Sequence, residues 1–296
     1  MVRILLKTVL FLALAAAGAA PAADLPASTA LRQVGGALVV DVSVNGEGPY
    51  AFRLDTAAHE TAVYRRLIAT GKLDRLPGAA VVLQGAGGRR TVPRYALGRL
   101  DLAGQSHRMA SVAAIPMSAN PGEPLYGVVG QDFLLRFAIR LDIPAGTLTL
   151  LPRRSAPETS GYSIHTLSPV TSRLVTVEAT VAGQSMTALV DTGAAHSLIN
   201  PAAADALGQT GGLAGEARGI DGAQVEAVVL EDALDVRLDD NALGTRRLAV
   251  AALPLFRVLR LDREPAMVLG ADLLGRRRFI LDWQRMRLLL ADPAAP

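Results

Sequence analysis

Phe52-Arg-Leu-Asp55-Thr56-Ala57-Ala58 and Ala188-Leu-Val-Asp191-Thr192-Gly193-Ala194 are the two stretches on which the reading of this chain turns. Each is an apolar run that ends in Asp-Thr-small-Ala. A single Asp-Thr-Gly at a strand end is an ordinary turn signal, with Asp capping its own backbone and Gly supplying a permissive φ. Here the second Asp follows the first by 136 residues, and each copy has similar neighbours on both sides. That repetition points to a duplicated lobe that brings two carboxylates together, an arrangement suited to acid–base chemistry on water.

Each motif is preceded by a hairpin pattern. Residues 37–44 alternate toward a turn at 45–49, and a strand over 50–54 delivers Asp55. Residues 173–181, a turn at 182–185 and a strand over 186–190 do the same for Asp191. The first turn differs from the second by one residue, a slip expected at the hairpin tip, where loops absorb length changes. A short helix is expected after each motif. In the second half Asn200 is the N-cap, Pro201 the first helical residue and Gly208 the stop; the first-half counterpart spans 63–70 and ends at Gly71.

Farther out lies the most specific repeat. Val128-Val129-Gly130-Gln-Asp132-Phe133-Leu134 is matched by Val268-Leu269-Gly270-Ala-Asp272-Leu273-Leu274, and Asp142 by Asp282, all 140 positions apart. Asp132 and Asp272, just after a Gly that opens a helix, read as helix N-terminal charges and not as a second catalytic pair. Residues 153–163 are rich in Pro, Arg, Ser and Gly and read as a linker. The expected organisation is a leader over 1–22, an N-terminal lobe over 23–152, that linker, and a C-terminal lobe over 164–296.

The leader reading rests on Arg3 and Lys7, the apolar run 9–17 and the small residues Ala20-Pro21-Ala22, a signal peptide cleaved after Ala22. The run is too short to span a bilayer, and no later stretch reaches about 18 apolar residues. The mature chain is therefore expected to be exported, periplasmic or secreted, without a membrane span. Without Arg3 and Lys7 the net charge falls from +3 to +1, and the arginines are scattered with few aromatics nearby, so no nucleic-acid footprint is visible.

With no cysteine in the chain, disulfides, thiolate zinc sites, a cysteine nucleophile and a lipoprotein anchor are excluded. The four histidines lack the paired spacing of a zinc helix, since the position four after His59 is Val63. No G-x-S-x-G elbow offers a serine nucleophile. His59 and His196 follow the two motifs and read as surface or packing residues in preference to substrate contacts.

The ordered set of Asp-Thr-Gly/Ala motif, glycine-rich hairpin and apolar-apolar-Gly before a helix resembles the retropepsin-like aspartic proteases, in their exported bacterial two-lobed form. The set occurs twice and covers most of the mature chain. The resemblance implies an all-β, bilobal pepsin/retropepsin-like fold with short helices in each lobe. It implies an aspartic endopeptidase with Asp55 and Asp191 as the catalytic pair, no metal and no cofactor, a peptide or protein as substrate, and a monomer that carries both halves of the dyad.

It further implies that Thr56 and Thr192 lock the two loops together and that Ala57 and Gly193 aim amides at the carboxylates, Gly193 also allowing a sharp turn. Gly130 and Gly270 would pass beneath the loops, where a Cβ would clash. The flap candidates are Gly85, Gly87 and Gly88 in the first half, and Gly219, Asp221 and Gly222 in the second. Neither contains the flap tyrosine of the pepsin branch.

Two departures from the family pattern matter. Ala57 stands where the family has Gly; a left-handed φ there would cost about 1 kcal/mol and misaim Asp55. That leaves open a non-catalytic peptide-binding relative and a homodimer that uses Asp191 alone. Ala58 and Ala194 replace the hydroxyl residues of the pepsin branch, which should leave the carboxyls harder to ionise and move activity toward mildly acidic or near-neutral pH.

Overall fold

The computed structural model describes residues 25–85, 88–116, 122–209, 211–219 and 223–292. The expected leader at 1–22 lies outside them. Strand Ala37–Val44 buries Leu38, Val40, Val42 and Val44 on one face, the two-residue period of a half-buried strand. Asn45 and Gly46, at φ 53° and 83°, then turn the chain into Glu47–Leu54. Val175–Val181 and Gln184–Val190 repeat the hairpin around Ala182 and Gly183, at φ 46° and 85°. Such double left-handed turns match the right-handed twist of paired strands.

Both turns are therefore two residues long, and the length difference is not at the hairpin tip as expected. It lies in the strand: Val42 pairs with Tyr50 but Val44 with Glu47, which leaves one extra residue beside Gly48. A bulge bends a strand without moving its ends out of register with the core. Gly48, at φ 137°, supplies a backbone state that side chains rarely adopt.

Each half then builds a ten-stranded sheet in the same spatial order. In the first, Gly127–Val129 lies parallel to Glu47–Leu54 and antiparallel to Ala62–Tyr64, with Val129 opposite Leu54. In the second, Ala266–Leu269 lies parallel to Gln184–Val190 and antiparallel to Leu198–Ile199, with Leu269 opposite Val190. A third sheet of six strands joins the halves. Phe137–Asp142 pairs antiparallel with Arg278–Asp282, Ile139 opposite Leu281, and Tyr162–Thr166 closes one edge on Arg287–Ala291. Its inner face presents Ile139, Leu141, Leu148, Phe279, Leu281 and Leu288 to a hydrophobic core that runs through both halves.

Helices are few and short. Pro201–Ala206 starts as expected, with the Asn200 carbonyl oxygen of the side chain accepting from the Ala203 amide. The first-half helix does not span 63–70: Ala62–Tyr64 is a strand, and only Arg65–Ile68 is helical. Val63 and Tyr64 are fully buried between two partner strands, and Tyr64 offers no capping side chain, so strand pairing wins over helix propagation there. Residues 153–161 carry no strand. No helix among the described residues is long and apolar enough to cross a membrane.

Candidate active site

Asp55 and Asp191 each follow the last residue of a central strand, and each backbone amide still bonds to the parallel neighbour. Asp55 N donates to Val129 O at 3.1 Å, and Asp191 N to Leu269 O at 3.0 Å. The carboxylates are thus carried by paired backbone and not by free loops. Asp55 Oδ1 accepts from the amides of Ala57 at 2.9 Å and Ala58 at 2.7 Å. Asp191 Oδ1 accepts from Gly193 at 2.8 Å and Ala194 at 3.1 Å.

Thr56 and Thr192 join the two loops through four reciprocal bonds. Thr56 Oγ1 donates to Val190 O at 2.9 Å and accepts from Thr192 N at 3.0 Å; Thr192 Oγ1 donates to Leu54 O at 2.8 Å and accepts from Thr56 N at 3.1 Å. Both residues are buried, and each such bond is worth about 1 kcal/mol net, with a larger loss when a partner is left unpaired. The result is that the Asp55 carboxyl lies against the Asp191 loop at Gly193, and the two carboxyls interact directly.

Ala57 does not adopt a left-handed backbone, so its methyl carries no conformational strain, and its amide serves Asp55 as the Gly193 amide serves Asp191. Gly193 is not left-handed either, although the chain does turn there, with Ala194 N donating to Asp191 O at 3.3 Å. Its lack of a side chain matters for another reason: a Cβ there would lie 2.2 Å from Cγ of Asp55. Gly193 makes room for the opposite carboxylate.

Gly130 and Gly270 lie where expected. A Cβ on Gly130 would stand 2.4 Å from the Glu60 carbonyl carbon, and one on Gly270 2.8 Å from Ala194 O. Asp132 and Asp272 do more than sit at helix starts. Asp132 Oδ1 accepts from Thr61 N and Oγ1 at 2.9 and 2.7 Å, while Asp272 Oδ1 accepts from Ser197 N and Oγ at 2.8 and 2.6 Å. Thr61 Oγ1 and Ser197 Oγ in turn accept the amides of Gly130 and Gly270. Each Asp therefore pins the segment beyond one catalytic-loop candidate to the helix beneath it.

The flap candidates are hairpins at the outer edge of each ten-stranded sheet. Arg75–Gly85 pairs with Gly88–Ala96, Gly85 opposite Gly88, and the tip with Gly87 lies outside the described residues. Leu213–Arg218 pairs with Gln224–Val229, and Gly219 N donates to Ala223 O at 2.8 Å; Asp221 and Gly222 lie outside the described residues. The first hairpin is tied to the Asp55 loop by Arg94, which pairs with Glu60 at 3.1 Å. It also reaches the helix Pro254–Val258 of the other half. His59 and His196 are exposed.

Two residues at the site were missed in the sequence. Arg53 is only 7% exposed and donates from Nη1 to Gly193 O at 2.9 Å, across the two halves. The signal was present: residues 53 and 55 share one face of a strand, and a charge inside Tyr50-Ala-Phe-Arg-Leu-Asp is out of place unless it has a partner. Gln131, fully buried, donates from Nε2 to Thr56 O at 2.6 Å and to Arg173 O at 2.9 Å; Ala271 holds the matching place in the second half and does neither. Arg173 in turn donates to His59 O at 2.7 Å. The Asp55 loop is braced from the other half, whereas nothing in its own motif foretold this.

Burial raises both carboxyls above the usual range. For Asp191 the charge of Asp55 adds to the effect, and its carboxyl is pushed up to about 8. For Asp55 burial dominates against the amides of Ala57 and Ala58 and the Arg53 cation. Two carboxyls that interact this directly cannot both ionise cheaply, so the pair retains one proton through the neutral range. Chemically, such a pair can accept one proton and donate another across a shared water. Among the described residues no group of three or more His, Asp or Glu side chains could hold a metal ion.

A family model described as aspartyl protease matches this chain twice, over residues 40–133 and 177–273. Each match contains one Asp-Thr motif and one apolar-Gly segment. No individual curated protein matches the chain.

Proposed function

Because this chain belongs to the aspartyl protease family in its retropepsin-like, two-lobed form, and with it to the peptide hydrolases, we propose that it is an endopeptidase whose Asp55 and Asp191 act together on one water. The observation that carries the reading is the reciprocal Thr56–Thr192 lock, which holds the loops of buried Asp55 and half-buried Asp191 together within a single chain.

The steps follow from the charge state of the pair. The ionised carboxylate draws a proton from water as its oxygen attacks the peptide carbonyl carbon, and the protonated carboxyl gives its proton to the carbonyl oxygen. The tetrahedral diol then collapses: the C–N bond breaks, the nitrogen takes the proton held by the pair, one diol hydroxyl gives its proton to a carboxylate as the C=O re-forms, and the dyad returns to one proton and one charge. Substrate is proposed to lie extended, pairing with the hairpins Arg75–Ala96 and Leu213–Val229 as an added strand. No metal or cofactor enters the proposal. A single chain supplies both carboxyls, so a monomer suffices, and the leader at 1–22 directs it to the periplasm or outside.

Purified enzyme incubated with an unfolded protein is expected to release fragments between pH about 5 and 7.5, and pepstatin is expected to block the cleavage. No cleavage by protein that still binds peptide would support the non-catalytic alternative instead.

A further inference from the structure

We propose that Arg53 is a positioning residue that sets the charge of the dyad: one buried guanidinium beneath the pair favours its singly ionised form and fixes the opposite loop through Gly193. This rests on the dyad reading above and extends it.

Three observations converge. First, Arg53 lies in a dry setting. It is 7% exposed, its Nε is buried without a hydrogen-bond partner, and the residues opposite it on the flanking strands are Val39 and Val128. A buried guanidinium that cannot lose its proton requires a nearby anion, because an unpaired buried charge costs several kcal/mol. Second, the anions on its side are those of the dyad: Arg53 shares a strand face with Asp55, two residues on, and its Nη1 donates to Gly193 O in the Asp191 loop. The Arg53 cation favours ionisation of Asp55 and of Asp191. Other charged groups nearby are engaged elsewhere: Glu60 pairs with Arg94, Asp132 accepts from Thr61, and His59 is exposed.

Third, the cation is unmatched by symmetry. The residue two before Asp191 is Leu189, 2% exposed. One cation balances one negative charge. A neutral dyad leaves Arg53 buried without a counter-charge, and a doubly ionised dyad leaves one negative charge in excess; only the monoanion closes the balance. A second arginine in place of Leu189 would favour the dianion and remove the proton donor. The asymmetry therefore matches the asymmetric protonation that the chemistry needs.

The Nη1 bond to Gly193 O gives the same residue a geometric role. Gly193 is the residue whose bare Cα lies against the Asp55 carboxyl, so anchoring its carbonyl fixes the spacing of the pair.

The test is a carboxyl ¹³C NMR titration of aspartate-labelled protein, with the Asp55 and Asp191 signals assigned from Asp55→Asn and Asp191→Asn. Arg53→Gln removes the charge but keeps a donor for Gly193 O; Arg53→Leu removes both; Arg53→Lys keeps the charge. The first ionisation of the dyad should rise by about one pH unit or more in the Gln and Leu variants, as expected for loss of an opposite charge close by. It should stay near the wild-type position in the Lys variant. Wild-type titration in either neutral variant, or an equal shift in the Lys variant, overturns the proposal. The titration needs no turnover, so a shifted dyad in an inactive protein would sink the protease reading while leaving Arg53 its role.

Discussion

Ala57 and Gly193 occupy matching positions yet face different demands. Gly193 touches the Asp55 carboxyl, so Gly193→Ala should force the pair apart and lower kcat/KM by at least about 100-fold, an estimate from the rate cost of misplacing reacting groups. Ala57→Gly removes a methyl from an unstrained backbone and should leave kcat/KM within about threefold, as expected for a change that removes no transition-state contact. Steady-state assays on one peptide compare both. The sequence made the two aspartates and threonines legible because duplication marks them. It did not reveal why Gly193 must be Gly, since that depends on a contact across 138 residues, nor did it flag Arg53, whose partner lies in the other half.

The raised carboxyls also make stability depend on pH. In the unfolded chain they ionise near the ordinary value of 3.8, whereas in the fold Asp191 retains its proton to about 8. Between these limits the folded state binds more protons, so the pair's contribution to stability is fullest below the unfolded value and is lost as pH rises toward about 8. Asp191→Asn removes that loss. Its Tm at pH 8 should exceed the wild-type value by several degrees, with the gap closing near pH 4, as scanning calorimetry would read.

At the scale of elements, the halves repeat their connections more faithfully than their sequence. Thr61–Asp132 and Ser197–Asp272 make the same pin with different hydroxyl residues. The second-half helix was legible because Asn200 and Pro201 are explicit start signals, whereas the first was overextended because buried Val63 and Tyr64 serve a sheet. Asn200 does more than cap. Its Nδ2 donates to Leu261 O and Glu264 O at 2.7 and 2.8 Å, and its Oδ1 also accepts from Ala266 N at 3.2 Å. Asn200→Ala leaves these buried groups unpaired and should cost about 2–4 kcal/mol in chemical denaturation, above the usual price of a lost cap. Thr56→Ala strands the Thr192 amide and the Val190 carbonyl in the same way, while Thr56→Ser should keep most of the stability.

For the whole molecule, the decisive feature is the six-stranded sheet. Strands from the ends of both halves interleave, Phe137–Asp142 beside Arg278–Asp282, and the Asp142–Arg278 pair at 2.6 Å spans the join. The repeat spacing foretold two lobes but not this shared sheet, because cross-half pairing leaves no local signature in sequence. The alternative of a homodimer using Asp191 alone would leave Asp55, buried and braced by Gln131 and Arg173 from both halves, without a task. Specific activity should therefore not change on dilution of the enzyme, and the active species should elute as a monomer in size-exclusion chromatography.

The most direct test of the intramolecular dyad is the kcat/KM of Asp55→Asn on an unfolded protein or peptide substrate, with retained fold checked by circular dichroism. A loss of at least about 10³-fold is expected, equal in size to that of Asp191→Asn, because residues that act as one unit lose nearly everything together. Wild-type activity in Asp55→Asn beside an inactive Asp191→Asn would contradict it.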